Sequence, residues 1–122
     1  MSTTRPPGQK APALTCDCHF HIFGPYDRYP LHAGRTYTPP AALVPDYLAM
    51  AREVGIQRMV VVQASVYGTL NEVTLDAVQQ LGLHRARAVV VIDDSFDEAA
   101  LRRMHERGAR GARNAWGALP SE

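Results

Sequence analysis

Two histidines separated by one residue, in Asp17-Cys18-His19-Phe20-His21, are the most chemically loaded feature of this 122-residue chain. Residues two apart on an extended strand share a face. Neutral imidazoles at that spacing can chelate one cation or bracket one polar group of a substrate. On strict alternation Asp17, His19 and His21 face one way, and Cys16, Cys18, Phe20 and Ile22 the other. That parity separates the cysteines from the histidines and argues against a small Cys/His metal-binding or regulatory module. Two cysteines so close in sequence do not make a disulfide framework either.

Further candidates lie in Gln63-Ala-Ser-Val-Tyr67-Gly-Thr69, where Ser65, Tyr67 and Thr69 bring hydroxyls to a helix start. Such a position suits a carboxylate or carbonyl oxygen. A serine nucleophile is not indicated, because G-x-S-x-G is absent. Asp93-Asp94-Ser95 reads as the chemistry of a helix start, and His32, His84 and His105 read as exposed residues without a role. The stretch 23–40, with Tyr26, Tyr29, Arg35 and Tyr37, is long where about 2–6 residues usually connect strand to helix. It reads as a lid or binding loop.

The elements that must hold these residues are marked by glycines. Gly55, Gly82 and Gly108 recur 27 and 26 residues apart, each just past an apolar helical pattern. The β-branched runs Met59–Gln63 and Ala88–Ile92 follow the first two and suit parallel strands covered on both faces. The first strand spans about 14–22. Helix starts are read at Thr69…Glu72 and Ser95…Glu98 as capping boxes, and at Pro45, which a helix accepts only in its first turn. The inner stripes are expected at Tyr47, Met50, Ala51 and Val54, at Leu70, Val73, Ala77 and Leu81, and at Ala100, Leu101 and Met104. Strand–helix alternation at this period means βα units on a parallel sheet, in which function gathers at the strands' carboxyl ends.

Composition narrows the partners. The chain is 46% hydrophobic and 20% charged with a net charge of +1, which argues against nucleic acid or an anionic membrane. No apolar run approaches the ~20 residues of a membrane span, and the Pro-rich start lacks a signal-peptide core. A cytoplasmic location is expected.

Asp17-Cys-His-Phe-His-Ile-Phe-Gly-Pro25, Arg35-Thr-Tyr-Thr-Pro39 and Val62-Gln-Ala-Ser-Val-Tyr-Gly-Thr69 together resemble the amidohydrolase-2 family. The likeness is strongest to its branch of 2-pyrone-4,6-dicarboxylate lactonases and runs from about Leu14 to Asn114. It implies an α/β fold, the N-terminal portion of a (β/α)8 barrel with about three βα units and a fourth strand. Residues 1–13 and 115–122 would then be a flexible and an irregular tail. The implied activity is hydrolysis of a carboxylated lactone or related ester or amide, with decarboxylation in some metal-dependent relatives. His19 and His21 would be the catalytic pair. They would hold a divalent metal such as zinc in metal-dependent relatives, and polarise the substrate carbonyl without a metal in the lactonase branch. Tyr37, Ser65, Tyr67 and Arg113 would contact a small carboxylate substrate. Arg113 is followed directly by Asn114, where the family has a further apolar residue. The family's fifth-strand histidine and eighth-strand aspartate have no counterpart here. A full barrel takes ~250 residues, so a truncated product of doubtful activity alone is expected. The alternative is a non-catalytic half-barrel that self-associates through open edges.

Overall fold

The computed structural model describes residues 7–114. Its elements alternate in chain order: β1 (Cys16–Phe20), α1 (Val44–Val54), β2 (Arg58–Val62), α2 (Glu72–Leu81), β3 (Ala86–Ile92), α3 (Glu98–Glu106) and β4 (Ala109–Asn114). The four strands pair in parallel in sequence order, so β1 and β4 are its two edges. This is the α/β arrangement of a partial (β/α)8 barrel. The expected 115–122 tail lies outside the described residues. At the other end, the Ala11 N–H donates to Val54 O at 2.9 Å, so the expected flexible tail is tied down at that residue.

One face of the sheet is covered by helices, and the core sits between them. Met59 and Val61 of β2 and Ala86, Ala88 and Val90 of β3 point into it. They meet Tyr47 and Ala51 of α1, and Val73, Ala77 and Leu81 of α2. The helical stripes hold with two departures. Met50 is 43% exposed, because the α1 stripe centres on Val44, Tyr47 and Ala51 and leaves it on the flank. Leu101 is 41% exposed, because α3 turns Met104 to the core and leaves Leu101 on its flank.

The helix starts use other residues than the capping boxes expected. Asp97, not Ser95, caps α3, its Oδ1 accepting from Ala100 N at 2.8 Å. Ser95 instead turns back onto Asp93, whose carboxyl is held below its usual range by the Ser95 hydroxyl and N–H. At α2 the cap position is Asn71, whose side chain makes no cap bond. Its amide reaches across to β3: Nδ2 donates to Val91 O at 2.8 Å, and Val91 N donates to Oδ1 at 2.9 Å. β2 has already turned away at that level, and Asn71 takes its place in the ladder. At α1, Pro45 stands in the first turn as expected. Asp46 Oδ2 accepts from Leu43 N at 2.8 Å, and Gly55, with φ +84°, closes the helix.

Candidate active site at the carboxyl ends of the strands

The two edge strands each carry one extra residue. Asp17 pairs with Met59 but Phe20 with Val61, so three steps on β1 match two on β2. Paired residues share a face, and Met59 and Val61 face the helices. Asp17 and Phe20 therefore face them too. Asp17 Oδ2 accepts from Tyr47 OH at 3.0 Å, and Phe20 stacks on the Tyr47 ring at 3.7 Å. The alternation expected for β1 is thus corrected. His19 and His21 point to the inner face, away from the helices. Cys16 and Cys18 join them there, while Asp17 does not. A bulge that inserts one residue into a strand re-aims the side chains beyond it.

β4 repeats the device. Ala88 pairs with Ala109 but Val89 with Gly111, leaving Arg110 as the extra residue. Arg110 is exposed and bonds back to His105 O at 2.7 Å, as a surface residue would. Beyond it, Arg113 pairs with Val91 and points to the inner face, opposite to Val90.

Both edges then converge on the end of β2. His21 Nδ1 donates to Val62 O at 2.7 Å. A carbonyl can only accept, so Nδ1 carries the hydrogen and Nε2 is left free for a ligand. Arg113 Nη1 approaches the next carbonyl, Gln63 O, at 3.5 Å. His19 stands beside His21, rings edge to face with centroids 5.1 Å apart, and its N–H bonds Asp17 Oδ1 at 3.2 Å.

The remaining expected contacts divide. Ser65 is exposed at the head of the short 3-10 turn Ser65–Tyr67 that follows β2. Tyr37 is 46% exposed in the long loop. Tyr67 is corrected. It is 2% exposed in the core, its hydroxyl accepts from Gly24 N at 2.7 Å, and burial raises its phenol. That bond ties the start of the long loop to the turn after β2.

That loop is built, not loose. An antiparallel bridge between Phe23 and Ala42 closes its neck. Tyr26 OH donates to Pro39 O at 2.7 Å, and His32 N donates to Val66 O at 2.7 Å. Tyr29 OH donates to Asp76, which also accepts from Arg107 Nη2 at 2.7 Å. His32 is exposed, as expected, but its backbone seats the loop on the turn after β2.

Sequence reasoning missed the two buried amides behind the site. Gln63 is fully buried, donating from Nε2 to Gly68 O at 3.0 Å and Leu70 O at 2.9 Å while accepting from Thr74. Asn71 does the same for β3. A glutamine closing a run of valines was the available signal for the first. Asn71 was hidden inside a plausible capping box.

A catalytic zinc takes three protein ligands and keeps a fourth position open. Among the described residues no group of three or more His, Cys, Asp or Glu could hold a metal ion. The histidine pair offers two donors and does not by itself fit such a centre. No described helix is long and apolar enough to cross a membrane.

A parallel βα sheet with its polar groups gathered beyond the strand ends defines a segment of a barrel enzyme. The amidohydrolase pattern matches residues 16–114, and the chain belongs to the amidohydrolase family. It is 37% identical over 107 residues to 2-pyrone-4,6-dicarboxylate hydrolase of Comamonas testosteroni, covering 88% of this chain and 35% of that protein. It is 38% identical over 105 residues to 4-sulfomuconolactone hydrolase of Hydrogenophaga intermedia, covering 86% and 34%. Its fold matches the crystal structure of a probable 2-pyrone-4,6-dicarboxylic acid hydrolase from Acinetobacter baumannii with citric acid bound. The TM-score is 0.77 at 26% identity, covering 88% of this chain and 40% of that one. The chain spans little more than a third of the length of these relatives.

Proposed function

We propose that this chain supplies the carbonyl-facing and carboxylate-binding part of a site that hydrolyses a carboxylated lactone. The observation that carries the reading is the convergence of His21 and Arg113 on the end of β2. Hydrolysis adds water to the lactone carbonyl and breaks the ring C–O bond, leaving a carboxylate and a hydroxyl. Negative charge grows on the carbonyl oxygen on the way, and a donor aimed there lowers the barrier. His21, its ring oriented by the Nδ1–H bond to Val62 O, and His19 alongside are the groups placed to polarise that carbonyl. Arg113 pairs a ring carboxylate bidentately and so fixes the carbonyl relative to the imidazoles. Ser65 and Tyr37 are the secondary contacts. Two relatives whose names specify a pyrone dicarboxylate and a sulfonated lactone support an anionic lactone as substrate. The resemblance puts water activation on the fifth and eighth strands, so this chain alone binds substrate better than it turns it over. The metal-dependent decarboxylase alternative uses the same histidine pair and needs further ligands. A cytoplasmic location belongs to the same reading.

Calorimetric titration of the purified chain with 2-pyrone-4,6-dicarboxylate tests it. Saturable binding that Arg113→Ala abolishes is the expected result. Unchanged binding by Arg113→Ala overturns it, as does lactone hydrolysis that survives His21→Ala.

Self-association is a second reading. Among the described residues the outer edges of β1 and β4 lack strand partners, and Leu101, Ala109 and Ala112 line an open apolar groove beside α3. Unpaired strand edges are templates for another chain. Light scattering showing a stable monomer across the micromolar range would exclude it.

A further inference from the structure

Because Asp17 faces α1, the cysteines on either side of it face away from the helices. Both thiols are free, Cys18 exposed and Cys16 partly so. The Cys18 side chain folds back along the strand toward Cys16, its Sγ lying 3.7 Å from the Cys16 backbone carbonyl oxygen. After burial, the neighbouring Cys18 thiol is what raises the Cys16 thiol above its ordinary range.

Cα atoms two residues apart on a strand lie about 6.6 Å from each other, at the wide end of what a disulfide accepts. A bridging metal suits that separation better, since two metal–sulfur bonds of about 2.3 Å each can span the thiols. Zinc asks for four ligands, and no described group of three or more is available. Thiolate donors select Cu(I) among the soft cations, and a soft monovalent ion is satisfied by two.

We propose that Cys16 and Cys18 form a two-thiolate site for a soft monovalent cation of the Cu(I) class, independent of His19 and His21. Each thiol releases its proton to solvent as its sulfur–metal bond forms. The site would occupy the inner face of β1, one step nearer the strand's start than the histidine pair.

Anaerobic titration of the full chain with Cu(I), in competition with a chromophoric Cu(I) chelator, tests the proposal. One Cu(I) per chain is expected. Cys16→Ser and Cys18→Ser should each weaken binding about a hundredfold, because the second sulfur no longer binds intramolecularly. The His19→Ala/His21→Ala double variant should bind like the parent. X-ray absorption of the loaded chain should show two sulfur neighbours. Parental affinity in either serine variant overturns the proposal, as does loss of affinity in the histidine variant or nitrogen in the first shell. Should Cys16→Ser fail to fold, the exposed Cys18→Ser decides alone.

Discussion

His21 and Arg113 come from opposite edges of the sheet and meet consecutive carbonyls, Val62 O at 2.7 Å and Gln63 O at 3.5 Å. The end of β2 is therefore the common reference for both groups. A substrate spanning the two would be gripped at a fixed separation, with neither group on the long loop.

On the proposed reading Arg113 acts through its guanidinium plane, not its charge alone. Arg113→Lys keeps the charge and loses the bidentate fork. We expect it to weaken binding of 2-pyrone-4,6-dicarboxylate nearly as much as Arg113→Ala, while leaving the urea midpoint unchanged. Calorimetry and a urea titration on both variants check this.

Asn71 replaces a strand where β2 has left the sheet. Asn71→Ala leaves the Val91 N–H and C=O without partners in a buried setting. Each such group costs about 1–3 kcal/mol. We expect a loss of about 2–4 kcal/mol in urea unfolding. Asn71→Asp, which keeps the bond from Val91 N but sets a carboxylate oxygen against Val91 O in a buried setting, should lose at least as much.

Tyr47 fixes β1 to α1 twice over, by its ring on Phe20 and its hydroxyl on Asp17. Tyr47→Phe removes only the second and should cost about 1 kcal/mol. Asp17→Asn combined with Tyr47→Phe should cost little more than either alone, as a double-mutant cycle would read.

Tyr29 gives the fold an alkaline limit. Burial first, then the bond to Asp76, push its phenol up to about 12. In the unfolded chain a phenol titrates near ~10. The folded state thus holds the proton more tightly. The resulting stability is complete below about pH 10 and is lost as pH rises toward 12. Tyr26, Tyr47 and Tyr67 are raised in the same direction, so Tyr29→Phe should flatten the fall only in part. Urea unfolding at several pH values between 9 and 12 would measure it.

Gly108 joins α3 to β4 at φ +109°, and an added Cβ would lie 2.8 Å from Leu83 Cδ2 and 2.9 Å from Val78 Cγ1. Strain and overlap act together there. We expect Gly108→Ala to lower stability by more than about 1 kcal/mol, seen as a reduced thermal midpoint.

The order of elements was legible because its signals are local. Gly55, Gly82 and Gly108 end helices, and the valine runs of β2 and β3 have no polar alternation. The facing of the edge strands was not legible. Whether Cys18 pairs with β2 or is skipped depends on Tyr47, thirty residues on, drawing Asp17 toward α1. Likewise Ser95 and Thr69 looked like caps on spacing alone, while Asp97 and a distant contact of Asn71 took those positions. The histidine pair was found from sequence. Its true neighbours on the strand, Cys16 and Cys18, were assigned to the wrong face.

The extra residue in β1 works as a phase setting. Pair the same residues without that skip, with Asp17 still opposite Met59, and the strand returns to simple alternation. The imidazoles would then rotate into the greasy layer under α1, where Phe20 now lies. A family member of the same length that paired here without the bulge would keep its His-x-His spelling and lose its chemistry. Motif searches that count only the spacing between the histidines would not notice.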